Sequence, residues 1–223
     1  MQDTSEDPKR PCKHTLTQMP YASEFFVGRS AELANMNSFL KPSRSGRNGV
    51  VLQGISGSGK TQLALRYIDQ FGGAYSHVLW ISAASADEVE ASFEEAANSL
   101  EASGTSIPVL RSKGTGGDRS YVHACLSDVL EPNWLMVLDS LDAPSIHARR
   151  YAPTCDKGSV LVISTFADAK RFFRLPVIEL PDLDEESACD LLGSLVGRHG
   201  NTATDDEVDM SMLVLEIGSS TKC

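Results

Sequence analysis

Long apolar runs are missing from this chain of 223 residues. No stretch approaches the roughly 18 apolar residues that a membrane-spanning helix needs. The opening "MQDTSEDPKRPCKHTLTQMP" has no apolar core of the kind a secretory signal carries. Positive charge is scarce too: Lys+Arg number 20 against Asp+Glu 30, for a net charge of −10. A protein that grips a phosphate backbone usually presents a basic face, so no nucleic-acid partner is expected. The pairs Lys9-Arg10, Arg149-Arg150 and Lys170-Arg171 are scattered, as solvated surface charge is. Cysteine is limited to Cys12, Cys125, Cys155, Cys189 and Cys223, an odd number far apart and without C-x-x-C. Neither a disulfide framework nor a zinc site fits that spacing, and the five histidines are equally dispersed. These absences together lead us to expect a soluble, cytoplasmic protein with no membrane partner.

What remains is an ordinary globular composition, 41% hydrophobic and 22% charged, able to bury a core without staples. After residues 1–20, polar and Pro-containing and expected to be disordered, "SAELANMNSFL" places Leu33, Met36 and Leu40 at helical spacing behind a Ser30 N-cap. Short β-branched or apolar runs then recur: "GVVLQG", "HVLWISA", "WLMVLDS", "GSVLVIST" and "PVIEL". Each fits a buried parallel strand. Helical patterns fall between them, with inward faces at Leu63, Ala64, Tyr67, Ile68 and Phe71, at Val89, Phe93, Ala96 and Leu100, and at Val122, Leu126 and Val129. The second opens with a capping box, Ser85 to Glu88. A last helix, capped by Asp184, would bury Leu191, Leu192 and Leu195. Strands alternating with helices predict a three-layer α/β domain around a parallel sheet of five strands.

"GISGSGKT" matches G-x-x-x-x-G-K-[ST] through Gly54, Gly59, Lys60 and Thr61. Glycines let backbone N–H groups turn onto phosphates, and the following helix offers them its positive end. Lys60 would reach the β- and γ-phosphates, and the Thr61 hydroxyl would lie on Mg²⁺. A strand before the motif and an amphipathic helix after it supply the context that such a loop requires. Asp139, ending "WLMVLD", can hold the metal through water; the plainer alternative is an Asp capping a strand end.

Together these segments resemble the NB-ARC class of STAND nucleotide switches, a family that includes plant resistance proteins, apoptotic scaffolds and fungal NOD-like proteins. The likeness runs from about Phe26 to Gly218. "FVGRSAEL" looks like the motif that borders the adenine, so the resemblance assigns Val27, Gly28 and Arg29 to the base. "GISGSGKTQLALRY" is similar to the family's Walker A segment, which adds Ser56, Gly57, Ser58 and Gln62 to the nucleotide contacts. "NWLMVLDSLDAP" resembles a Walker B strand and "KGSVLVIST" the sensor strand that ends in Thr165. "IELPDLDEESACDLL" looks like the start of the helical ARC segment. The resemblance implies a P-loop NTPase fold binding ADP or ATP with Mg²⁺, with a nucleotide-binding domain over 21–181 and a partial ARC segment over 182–223.

Three positions depart from the family's pattern. Ser140 stands where a second acid usually follows Asp139, leaving Asp142 as the nearest substitute base. Phe166 stands where the sensor strand is usually followed by Arg; Lys170 and Arg171 are the next cations along. "LVLEIG" looks like the approach to the family's GLPLA motif, but "SSTKC" follows, so a truncated form is expected. "DDEVDMSMLVLEIG" would then be a helix whose apolar face lacks its cover, favouring self-association or pairing with a larger NB-ARC protein.

Three functions stay open on this reading. The first is a nucleotide switch with slow or lost hydrolysis, with Asp139 and Asp142 as the carboxylates nearest the chemistry. The second is an active P-loop ATPase or small-molecule kinase, whose lid would have to be "SGTSIPVLRSKGTGGDRS" with Arg111, Lys113 and Arg119. The third is a non-catalytic fragment acting by association.

Overall fold

A computed structural model describes residues 14–42, 46–104, 111, 116–142, 148–167, 169–183 and 185–199. The elements run β1 (His14–Thr15), α1 (Ser30–Leu40), β2 (Asn48–Gln53), α2 (Lys60–Phe71), β3 (His77–Ser82), α3 (Ala86–Ala102), α4 (Gly117–Asp128), β4 (Leu135–Asp139), β5 (Ser159–Ser164), α5 (Ala169–Phe173), β6 (Val177–Glu179) and α6 (Glu185–His199). Short 3-10 turns occupy Gly72–Ala74 and Ala148–Tyr151.

The sheet has the order β1-β3-β4-β5-β2-β6, and every pairing is parallel. Its four inner strands, β2 to β5, bury both faces, which explains why the sequence shows continuous apolar runs there rather than alternation. Successive side chains nonetheless alternate between two cores. Val50, Leu52, Leu135, Val137, Leu161 and Ile163 pack against α1 and α2. Val51, Met136, Leu138, Val160 and Val162 join the core formed with α3 and α4. The result is the three-layer α/β architecture that the pattern predicts.

All five expected strands are present, and β1 is a sixth. It belongs to the stretch expected to be disordered. Residues 14–20 instead follow the open edge of β3: Leu16 is buried and its N–H donates to the Val78 carbonyl. The buried Thr17 hydroxyl accepts the Trp80 N–H at 2.5 Å. A side-chain oxygen here does the work of a strand partner, and polar composition does not reveal it. Other expectations also shift. Ser30 is the first helical residue rather than a cap; Arg29 before it is left-handed, with φ 62° and no side-chain capping bond. Val129 is exposed, because α4 ends at Asp128. Leu191 and Leu192 are half-buried, while Asp184, the Leu195 side chain and the segment "DDEVDMSMLVLEIG" lie outside what is described. The Ser85 cap is as expected, accepting the Glu88 N–H at 3.2 Å. Among the described residues no helix is long and apolar enough to cross a membrane.

The seam between α3 and α4 holds a half-buried titrating group. The His123 ring meets Phe93 edge-on at 5.5 Å, and its Nε2 donates to the Tyr151 carbonyl at 3.1 Å. Burial pulls its pKa down to about 4; Arg119 adds to the fall and the Tyr151 carbonyl opposes it. The unfolded chain binds this proton near pH 6.5, whereas the native chain refuses it until about pH 4. Stability from this residue is therefore full above pH 6.5 and is lost as pH falls through that window, by up to about 3 kcal/mol. His123→Gln should flatten the acid limb of the urea-unfolding profile relative to wild type. Parallel profiles in the two proteins would show that the imidazole titrates as freely folded as unfolded.

Candidate functional site

The carboxyl ends of β2, β5 and β4 lie side by side, and the loops that leave them meet. In the register, Gln53 is level with Ser164. The sheet thus brings Gly54, Thr165 and Asp139 to one edge, the place where open α/β sheets hold ligands.

The glycine loop is shaped by its backbone. Gly57 and Gly59 have φ of 82° and 87°, and a Cβ at either would meet nothing within 4 Å, so their conformation rather than crowding calls for glycine. Gly54 is the reverse case: a Cβ there would stand 2.7 Å from the Leu180 carbonyl oxygen and 2.8 Å from Ser58 Oγ. α2 starts at Lys60 with no side-chain cap, and the first N–H groups of any helix lack intrahelical acceptors. Its positive end is therefore open toward the loop.

Lys60 is only 8% exposed and donates to the carbonyls of Gly54 at 2.9 Å and Ile55 at 2.6 Å. Thr61 Oγ1 lies 3.2 Å from Asp139 Oδ1 and 3.4 Å from Oδ2. Burial pushes the Asp139 carboxyl above the ordinary carboxylate range; the Thr61 hydroxyl and Ser140 N–H hold it down, Asp142 raises it and Lys60 lowers it. Burial likewise pulls the Lys60 ammonium below the usual lysine value, against the upward pull of Asp142 and Asp139. The Lys60 ammonium and the Asp139 carboxylate are thus both buried, with the exposed Asp142 carboxylate beside them. With Ser56, Ser140 and Thr165 they line a cavity of about 330 Å³.

Asp142 reaches this wall by a bent path. Ser140 is left-handed, with φ 59°, and the Asp142 N–H returns to the Ser140 carbonyl. The Asp142 carboxylate then accepts the Thr165 N–H at 2.7 Å. Phe166 lines neither this cavity nor its neighbour. Arg171 is exposed.

A second cavity, of about 380 Å³, opens on the other side of the loop. Phe25, Phe26, Val27 and Arg29 form one wall, and Leu183 and Leu191 another. Gly57, Gly59 and Gln62 border both cavities, and Ser58 the second. Ser58 Oγ is buried without a hydrogen-bond partner. Arg29 ties the two walls together, donating to the Pro181 carbonyl at 2.6 Å and to Glu32 at 3.0 Å. Gly28 stands outside the cavity against α6, where a Cβ would come within 2.9 Å of Ser187 Oγ. Of the positions expected from sequence, Gly28 and Gly54 shape the backbone and the rest line one cavity or both. Sequence reasoning missed Phe25, Phe26, Leu183 and Leu191. The aromatic pair in "EFFVGR" was the available signal, since an adjoining pair of rings before a left-handed turn suits an apolar wall.

A cleft of about 1170 Å³ lies elsewhere, between α3 and α4. Its cations are spoken for: Arg111 pairs with Glu101 and Asp118, and Arg119 with Glu90. Neither arginine borders the glycine loop, as a phosphate lid would require, and Lys113 lies outside the described residues.

Solved structures share this fold. Cdc6p from Pyrobaculum aerophilum matches 77% of this chain at 15% identity, with a TM-score of 0.57 and half of its own length covered. A Signal Transduction ATPase with Numerous Domains (STAND) protein from Pyrococcus horikoshii, which carries a tetratricopeptide repeat sensor, matches 90% of this chain at 18% identity and a TM-score of 0.54. Only 33% of that protein is covered. The chain therefore spans between a third and a half of the proteins that it resembles. No protein-family model matches it, and no curated protein does. At such low identity the likeness is one of fold, and that fold is the P-loop NTPase fold.

Proposed function

We propose that this chain binds an adenine nucleotide, ADP or ATP with Mg²⁺, as a switch domain of NB-ARC type that hydrolyses slowly or not at all. The observation that carries the reading is the gathering of Lys60, Thr61 and Asp139 around the glycine loop, beside an apolar cavity bordered by Val27 and Arg29. The two cavities share the loop, as the phosphate and base ends of one ligand would. Ser58 Oγ, buried and unpartnered, fits a ligand that supplies a polar atom.

The donor set also suits the metal. Thr61 and Asp139 offer hard oxygen atoms, and among the described residues no cluster of three or more acidic, His or Cys side chains could hold an ion alone. Mg²⁺ characteristically takes one or two protein oxygens and completes its shell with water and phosphate. When bound it would neutralise charge on the β- and γ-phosphates. The wider parts of the reading rest on the resemblance alone: a nucleotide domain over 21–181 with a partial ARC segment after it, a cytoplasmic signalling role in innate immunity, and pairing with larger relatives.

Calorimetry on the full chain tests the proposal. Wild type should bind ADP and ATP, with ATP affinity rising when Mg²⁺ is added. Asp139→Asn should cut the magnesium-dependent gain for ATP about tenfold and leave metal-free ADP binding within about twofold, since one charge is lost from the metal's surroundings while the loop is untouched. If both affinities match wild type with and without metal, Asp139 is a strand-end residue only. If wild type binds neither nucleotide, the proposal fails.

A further inference from the structure

We propose that Gln62 is a positioning residue: it fastens the aromatic wall of the second cavity to the helix that begins at the glycine loop, and so sets affinity for the base of a nucleotide rather than for its phosphates. The inference rests on the nucleotide reading above, and deepens it.

Residues 21–26 form no helix or strand. Tyr21 is 94% exposed, and Ala22, Ser23 and Glu24 are exposed as well. Such a segment is ordinarily free to wander, yet Phe25 and Phe26 at its end form a cavity wall. α2 holds it at two points. Gln62 Oε1 accepts the Ser23 N–H at 2.6 Å, and Gln62 Nε2 donates to the Tyr21 carbonyl at 3.3 Å. One turn on, the Arg66 guanidinium lies over the Phe26 ring at 5.8 Å. Positions 62 and 66 are i and i+4, so they present one stripe of the helix to the segment.

The chemistry of the first clamp needs an amide. One end of the side chain must accept and the other donate, and Gln supplies both at this length without charge. A Glu would keep the acceptor but bring a negative charge beside Lys60, Thr61 and Asp139. A Met would keep the length and lose both bonds. Gln62 is also among the residues that border both cavities. Its side chain has hydrogen bonds to the 21–23 backbone and none to Lys60, Thr61 or Asp139. Fixing a wall in its binding position before the ligand arrives raises affinity by removing an ordering cost.

The test compares ADP with inorganic pyrophosphate on the full-length chain, with amide exchange of residues 21–26 followed in nucleotide-free protein. Gln62→Met should lower ADP affinity about tenfold, as expected for two lost hydrogen bonds, and leave pyrophosphate affinity within about twofold. The Ser23 amide should exchange faster in the same variant. Gln62→Glu, which retains the acceptor, should restore slow exchange at Ser23 although it weakens both ligands by its charge. Equal loss of ADP and pyrophosphate in Gln62→Met would place Gln62 at the phosphates and overturn the proposal. Loss of ADP with unchanged exchange would mean direct contact with the base, and unchanged ADP affinity would mean no role; either overturns it too. A wild-type chain that binds pyrophosphate but no ADP, or neither, fails at an earlier and separable step, the nucleotide reading itself.

Discussion

Lys60→Ala should lower affinity for both ADP and ATP by at least about a hundredfold, with a melting temperature within a few degrees of wild type. A charge-assisted hydrogen bond to an anion contributes about 1.5–3 kcal/mol, and burial raises that figure by keeping water from screening it. Lys60 is 8% exposed, so little water would intervene between its ammonium and a phosphate. That ammonium donates to the Gly54 and Ile55 carbonyls. A phosphate would take their place. The stability cost is small for three reasons: the carbonyls freed belong to an outer loop whose Ile55 is 59% exposed, alanine favours the helix, and a partly desolvated cation disappears. The downward shift in the Lys60 pKa adds a pH signature. Its positive charge is lost on raising the pH sooner than from an ordinary lysine, so nucleotide affinity should fall early on the alkaline side. Calorimetry and thermal unfolding of the two proteins decide the matter. Equal affinity in wild type and variant would remove the phosphate-loop reading altogether.

How far the sequence could be read depended on distance along the chain. The glycine loop is a local device in which residue type, spacing and backbone shape are set within eight positions, and a loop with left-handed glycines stands there between β2 and α2. The four inner strands β2, β3, β4 and β5 were equally plain, because burial on both faces leaves an apolar run that no loop resembles. Which face each side chain takes was not legible, since Val50 and Val51 look alike in sequence and enter different cores. The second cavity was invisible for a different reason. Phe25 and Phe26 meet Leu183 and Leu191 across more than 150 positions, and no period links them. β1 escaped notice because its edge is closed by one threonine hydroxyl. Only the resemblance, and not periodicity, pointed to Val27 and Arg29.

A common logic links the two halves of the site. α2 offers its first turn to the loop through Lys60 and Thr61, and the next stripe of the same helix, Gln62 and Arg66, to the aromatic wall. Across the second cavity, Arg29 bonds to the Pro181 carbonyl just before α6. A ligand filling both cavities would therefore touch the central helix, the N-terminal segment and the start of the helical segment together. A binding domain that couples its ligand to a neighbouring segment has to make such differential contacts.

Ser140→Asp should raise ATP turnover about a hundredfold from a very low wild-type level, at nearly unchanged nucleotide affinity in the presence of Mg²⁺. Ser140 lines the phosphate cavity between Asp139 and Asp142 but carries no group able to take a proton at neutral pH. Asp139 is engaged with the Thr61 hydroxyl, and the Asp142 carboxylate holds the Thr165 N–H. An acid at 140 would add a carboxylate that neither of these bonds occupies. The backbone is suited to the change: Ser140 has φ 59°, a left-handed conformation that Asp and Asn enter more readily than other side chains. A third carboxylate beside two others would also have its pKa raised by like charge, toward the range in which a general base works best. Such a base contributes 10²–10⁴-fold where its geometry is right, and the lower figure applies to one introduced without optimised surroundings. Phe166→Arg should add little, because Phe166 borders neither cavity. Single-turnover hydrolysis by wild type, Ser140→Asp and the double variant separates these effects. A fast wild-type rate would show that Asp142 or another group already serves as the base, and an inert Ser140→Asp that still binds nucleotide would show that position 140 does not face the attacking water.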